Sequence, residues 1–301
     1  MSDLAAALRR ATAALTEAGV PSPRADAELL AEHLIGCGLG RLRALAIMGA
    51  AVPDGFWDSF WDLVEERAKR VPLQHLTGTA HFRHLSLSVG PGVFVPRPET
   101  EMLVTLVLDW IAAQDPPLGA PEVVDLGTGS GAIAASVAAE CPTSRVHAVE
   151  LSEFAHAWAA RNVALPEVGG RVELALGDLR TAFPELDGTV DAVVSNPPYI
   201  PAGMVPREPE AAEHDPELAL YGGGDDGLEV PLAAIASAAR LLRPGGFFAM
   251  EHAEVQAESL AARLRAAPEW TVVASHRDLN GLPRATTAVR TGAFPVEELR
   301  P

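Results

Sequence analysis

The feature that most constrains the fold is an alternation of short apolar, β-branched runs with helix-period segments between residues 121 and 290. Strands are expected at Glu122–Leu126, Arg145–Glu150, Val172–Leu176, Val190–Ser195 and Gly246–Glu251. Helices are expected at Ser130–Glu140, Glu153–Ala164, Leu228–Leu242 and Glu254–Ala267. Strands joined through helices run parallel, and a parallel sheet must be covered on both faces. The order therefore predicts an α/β fold, a mostly parallel sheet with helices on both faces, closed by a hairpin of Trp270–His276 and Arg284–Arg290. Ligands of such sheets bind outside the carboxyl ends of the strands, so the residues found there are the first candidates for chemistry.

The first strand ends in Gly127-Thr128-Gly129-Ser130-Gly131, where missing side chains let the backbone approach a ligand closely. The spacing is Gly-x-Gly-x-Gly, and no basic residue lies between Asp125 and Glu140, which mildly disfavours a dinucleotide. Asp125 suits a cationic ligand better, such as the sulfonium and ammonium of S-adenosylmethionine. Glu150 ends the next strand, where a carboxylate can take both hydroxyls of a ribose. After the third strand, Asp178 can accept from an adenine amino group while Leu179 packs on the ring. A strand-end Asx turn also explains Asp178, but its place in series with Asp125 and Glu150 favours ligand binding.

The fourth strand stops at Asn196-Pro197-Pro198-Tyr199. Neither proline has an N–H and each restricts the residue before it, so a stiff corner is expected. Asn196 Oδ1 and the Pro197 carbonyl can accept both hydrogens of a planar –NH2 group, with Tyr199 stacked on its plane. A plain strand-ending turn is the alternative.

Residues 1–75 read as a separate helical unit. Leu4, Leu8, Ala11 and Leu15 share one helical face. Ser22-Pro23 opens a second helix that Gly36, Gly38 and Gly40 end, and Pro53-Asp54 starts another through Arg70. His33 is a helix-face or core histidine. Residues 76–95 alternate as a linking β-hairpin, and 96–301 form the α/β domain. Pro96-Arg97-Pro98-Glu99-Thr100-Glu101 opens a helix, with its acids serving either as caps or in the site.

A hydrophobic fraction of 48% implies a packed globular protein. No apolar run approaches the ~20 residues of a membrane span, and the N-terminus lacks a signal-peptide core. Cys37 and Cys141 lie far apart without metal spacing, as expected of reduced cysteines in a cytoplasmic protein with no metal site. The net charge is −17, and eight acids fall between Glu208 and Glu229 with only Arg207 beside them. Such a lip, if not merely solvated, repels phosphate backbones and favours a basic protein partner, so no nucleic-acid partner is expected.

The glycine loop together with Asn196–Tyr199 resembles the class I S-adenosylmethionine-dependent methyltransferases that modify planar amino groups. Four further stretches make the chain similar to one branch, the peptide chain release factor glutamine methyltransferase family. These are Pro72-Leu73-Gln74-His75-Leu76-Thr77-Gly78, the Pro96–Glu101 stretch, Pro216–Leu220 with Gly224–Gly227, and Arg243-Pro244-Gly245-Gly246. The resemblance implies a class I methyltransferase Rossmann-like fold and S-adenosylmethionine as cofactor. It implies cofactor contacts from Gly127, Thr128, Gly129, Ser130, Gly131, Glu150, Asp178, Leu179 and Asn196. It also implies catalysis by Asn196, Pro197 and Tyr199, with Pro198 among the substrate contacts. The substrate would be the glutamine of the Gly-Gly-Gln motif of release factors, acted on by a cytoplasmic monomer. Glu150 stands where aspartate is commoner, Leu179 where some members have an aromatic, and Phe94 for a more usual leucine. A DNA or RNA amino-group methyltransferase is the rival; the acidic run and the single lysine, Lys69, weigh against it. A non-catalytic cofactor-binding module is disfavoured by the intact Asn-Pro-Pro-Tyr.

Overall fold

The computed structural model describes residues 3–206 and 208–292. Arg207, counted above beside the acidic run, lies outside the described residues, as do residues 293–301 of the α/β domain and Met1 and Ser2. The chain divides into two compact units, one of Met1–Thr79, Val89–Pro91 and Pro206–His214, the other of Ala80–Ser88, Gly92–Val205 and Asp215–Pro301.

The first unit is helical. Asp3 Oδ1 accepts from Ala5 N to cap α1 (Leu4–Glu17), which buries Leu4, Ala7, Ala11 and Leu15. Helix α2 (Pro23–Ile35) ends on Gly36 in the left-handed region. A helix α3 (Leu39–Met48) follows that the glycine-rich pattern did not predict. Gly38 is its extended N-cap and Gly40 sits inside it, so the glycines mark a sharp turn rather than the end of helical structure. Leu30, Leu42, Phe56 and Phe60 pack together beneath α4 (Phe56–Ala68).

A buried ion network ties the short helix Pro209–His214 into this unit. The Arg67 side chain is 6% exposed and donates from Nε to Asp26 Oδ2 at 2.7 Å and from Nη2 to Glu210 Oε1 at 2.8 Å. Arg70 Nη2 meets Glu210 Oε2 at 2.5 Å. Burial raises the Glu210 carboxyl, but Arg70 and Arg67 outweigh it and bring it down to about 2. The expected acidic lip is therefore discontinuous. Glu210 is neutralised inside the helical unit, and Asp215 pairs with Arg97 at 3.0 Å in the other unit. A largely desolvated carboxylate needs a partner, whereas Glu208, Glu213 and Glu217 remain exposed.

Pairing of the expected hairpin is confined to β1 (Thr79–Phe82) and β2 (Leu85–Ser88). The turn Pro98–Thr100 leads into α5 (Glu101–Ala112). Then follow β3 (Glu122–Leu126), α6 (Ala132–Glu140), β4 (Arg145–Glu150), α7 (Glu153–Val163), β5 (Val172–Leu176) and β6 (Val190–Ser195). The rest is α8 (Glu229–Leu241), β7 (Leu242–Glu251), α9 (Ala257–Ala266), β8 (Trp270–Arg277) and β9 (Pro283–Arg290). The seven strands lie in the order β5-β4-β3-β6-β7-β9-β8. Strands β3 to β7 are mutually parallel, and β9 runs antiparallel between β7 and β8. This is the class I methyltransferase arrangement expected. Strand β7 starts at Leu242 rather than Gly246, because a register shift lets the Arg243–Gly246 segment join the sheet.

Alternate residues feed two cores: Val123, Val146, Val194 and Phe247 on one face, Val124, Val149, Val193 and Phe248 on the other. The central strand β3 lies between β4 and β6, so the chain crosses over to opposite sides from it. That is the switch point at which a crevice opens above the strand ends. Among the described residues no helix is long and apolar enough to cross a membrane.

Candidate active site

Asp125, near the carboxyl end of β3, is 0% exposed. Its Oδ2 accepts from Thr128 Oγ1 at 2.5 Å and from Ala134 N at 3.2 Å. Its Oδ1 is buried without a hydrogen-bond partner among the described residues. Burial raises this carboxyl to about 7, with the bonds from Thr128 and Ala134 pulling the other way. Gly127 and Gly129 have φ of 75° and 58°, and a Cβ at either would meet nothing within 4 Å. Their glycines answer to backbone conformation, and the space beside them is open.

Glu150, at the end of β4, closes on this loop. Its Oε2 accepts from Gly129 N at 2.8 Å and its Oε1 from Ser152 N at 2.8 Å. Burial raises its pKa against those backbone donors. Each oxygen keeps acceptor capacity for a further donor. From α7, Asn162 staples the same loop: Nδ2 donates to Ser130 O at 2.8 Å and to Ser88 O at 2.9 Å. Nothing in the periodicity distinguishes this buried asparagine from a surface one.

Asp178 and Leu179, just after the end of β5, also have partners within the protein. Asp178 Oδ1 accepts from Arg180 N at 2.9 Å, an Asx turn, and the carboxylate pairs with the Arg180 guanidinium. Leu179 is 9% exposed and packs in the core with Val124, Val149 and Phe183. The exposed apolar side chains along this edge are Leu151, Phe154 and Leu176.

At the end of β6, Ser195 Oγ donates to Leu126 O at 2.7 Å, holding the ends of β6 and β3 together. Asn196 Nδ2 donates to Thr100 Oγ1 at 3.1 Å, Thr100 Oγ1 to Glu251 Oε2 at 2.7 Å, and Tyr199 Oη to Glu251 Oε1 at 3.2 Å. The Tyr199 hydroxyl is pushed up by burial and by the Glu251 charge. Pro197 is buried, and its carbonyl receives no hydrogen bond among the described residues. The backbone after the corner is clamped. Ile200 N donates to Leu220 O at 2.8 Å and Gly222 N to Ile200 O at 3.0 Å. Gln256 Nε2 donates to Tyr199 O at 2.8 Å and to Asp226 O at 2.9 Å. A Cβ on Gly227 would lie 2.4 Å from Tyr199 O, so only glycine lets that loop lie against the corner. This gives a physical role to the Pro216–Leu220 and Gly224–Gly227 stretches.

Residues 6–78 match the family described as the PrmC N-terminal domain, and residues 91–206 match the methyltransferase small domain. The chain is 50% identical over 292 residues to a release factor glutamine methyltransferase of Streptomyces coelicolor, covering 96% of this chain and 98% of that one. It is 41% identical over 293 residues to a 4-amino-L-phenylalanine/4-methylamino-L-phenylalanine methyltransferase of Streptomyces pristinaespiralis, covering 95% of each. Among solved structures, the hMettl16 catalytic domain in complex with a MAT2A 3'UTR hairpin matches with a TM-score of 0.53 at 17% identity. That match covers 78% of this chain and 84% of the other, a likeness of fold alone. With half its residues shared along nearly the full length of both chains, this protein belongs to the release factor glutamine methyltransferase family.

Proposed function

We propose that this protein transfers a methyl group from S-adenosylmethionine to the side-chain amide nitrogen of the glutamine in the Gly-Gly-Gln motif of peptide chain release factors. A cytoplasmic enzyme fits that substrate. The observation that carries the reading is the orientation of Asn196. With Nδ2 committed to Thr100, its Oδ1 and the unbonded Pro197 carbonyl are left as a pair of acceptors on one stiff corner.

The strand-end groups fit the cofactor. The unpaired Asp125 Oδ1 suits a cation, the glycine loop leaves open space, and Glu150 retains acceptor capacity for ribose hydroxyls. When bound, S-adenosylmethionine supplies an electrophilic methyl group on a sulfonium. The protein's task lies with the acceptor, because a carboxamide lone pair is delocalised into its carbonyl. Two acceptors on the amide hydrogens hold the –NH2 group, favour pyramidal nitrogen and stabilise the positive charge that develops there. No buried base is required, since the nitrogen becomes acidic as it reacts and its proton leaves to water. A glutamate side chain facing the same two acceptors is repelled, and a site built to bond –NH2 rejects such an analogue by roughly 10⁴-fold.

The relative that acts on 4-amino-L-phenylalanine supports a second reading, since an arylamine also presents a planar –NH2. Mass spectrometry after incubation with cofactor and either release factor, 4-aminophenylalanine or an oligonucleotide separates these readings. A single added methyl on the Gly-Gly-Gln peptide, absent with Asn196→Ala, is the expected result. Methylation of the small amine or the oligonucleotide alone would overturn the assignment.

A further inference from the structure

Asn196 and Tyr199, which come from the corner itself, converge on a carboxylate from a different strand. Glu251 ends β7, is 4% exposed, and receives hydrogen bonds on both oxygens, from Thr100 and from Tyr199. A threonine hydroxyl carries one hydrogen. When Glu251 is ionised it only accepts, so the Thr100 hydrogen points to Oε2 across 2.7 Å. Thr100 Oγ1 is then limited to accepting, and the 3.1 Å contact with Asn196 requires the Nδ2 side of the amide. Donation runs one way, from Asn196 through Thr100 to Glu251.

We infer that Thr100 and Glu251 are positioning residues that set the polarity of Asn196, turning its Oδ1 rather than its Nδ2 toward the substrate –NH2. The inference rests on the reading that Asn196 accepts from that group. It follows that direction, and not merely presence, of the hydrogen bonds decides function. A neutral Glu251 can donate to Thr100, whose own hydrogen then points to Asn196 and is accepted only by Oδ1. The flipped amide presents its –NH2 to the substrate –NH2, two donors face to face, and favours a carboxylate instead.

The groups facing Glu251 are Thr100 and Glu99 from the turn before α5, Tyr199 from the corner, and Arg284 from β9, itself paired with Asp278 at 3.2 Å. Burial raises the Glu251 carboxyl to about 6, with Thr100, Arg284 and Tyr199 lowering it and Glu99 raising it. The relay is thus poised to lose its direction on the acid side of neutrality.

Glu251→Gln tests direction with little change of shape. Its Oε1 can accept from Tyr199 and its Nε2 donate to Thr100, so each bond is retained with the relay reversed. The variants Glu251→Gln, Thr100→Val, Thr100→Ser and Asn196→Ala are compared in the full chain at saturating cofactor, using Gly-Gly-Gln and Gly-Gly-Glu peptides. Wild type should lose kcat/KM below about pH 6. Glu251→Gln and Thr100→Val should each fall about 10²-fold at neutral pH, lose that acid limb and keep cofactor affinity, while Thr100→Ser retains most activity. In Glu251→Gln the inhibition constant for the Gly-Gly-Glu peptide should tighten about tenfold relative to the KM for Gly-Gly-Gln. Thr100→Val provides a second reading of the relay should Glu251→Gln not fold. Inactive Asn196→Ala alongside Glu251→Gln or Thr100→Val with wild-type activity, pH profile and glutamine preference overturns the relay. Active Asn196→Ala overturns instead the reading on which it rests.

Discussion

Replacing Asp125 by asparagine should remove a pH dependence from cofactor binding. In the ligand-free protein, burial holds this carboxyl at about 7, and its Oδ1 has no partner among the described residues. A cationic ligand beside it selects the ionised form, so apparent affinity scales with the fraction ionised. For a pKa of about 7 that fraction rises from about 9% at pH 6 to about 76% at pH 7.5. S-adenosylmethionine should therefore bind about eightfold more tightly at the higher pH and release protons as it does so. Asparagine retains an acceptor for Thr128 and Ala134, so the fold should survive; binding should weaken and the slope flatten. The sign for stability is opposite. A carboxyl raised from 3.8 to about 7 favours folding at low pH, an advantage lost as pH rises through about 7. Isothermal titration calorimetry at both pH values, in two buffers of different ionisation enthalpy, measures affinity and proton release together. A flat wild-type profile, or a slope unchanged in Asp125→Asn, would refute the reasoning.

Asn196→Ala should reduce methyl transfer by about 10²–10³-fold while cofactor affinity stays near wild type, as single-turnover assays and calorimetry would measure; substantial residual activity would sink the acceptor-pair argument. Glu210→Ala should destabilise the helical unit by about 3 kcal/mol, read by urea unfolding, because Arg67 and Arg70 lose a partner. The stability Glu210 contributes is present above its ordinary 4.5 and lost as pH falls toward about 2, so wild type and variant should converge in acid. Replacing exposed Glu208, Glu213 and Glu217 by glutamine should raise KM for an intact basic release factor at low salt but not for a short Gly-Gly-Gln peptide; equal salt slopes for wild type and variant would exclude steering.

How much could be read without the fold depends on how far each signal reaches along the chain. Short β-branched apolar runs, glycine loops and an Asn-Pro-Pro break are local, so the amino-acid sequence alone determined the parallel sheet, its strand ends and the candidates Asp125, Gly127, Glu150 and Asn196. Helix α3 was hidden because glycines that turn a chain look the same as glycines that end helical structure. Asp178 and Leu179 stand after a strand end as expected, and their partners, Arg180 and the apolar core, became visible only in the fold. Partners distant in sequence were decided only by tertiary structure. Arg67 and Glu210 lie 143 residues apart, and a charge run carries no sign of which acid a distant arginine will neutralise. Thr100, Asn196 and Glu251 come from a turn, the corner after β6 and the end of β7, and each looks ordinary in its own segment. Hydrogen-bond direction belongs to none of the three residues alone. It arises when a buried carboxylate, which only accepts, is brought to a hydroxyl with a single hydrogen to give.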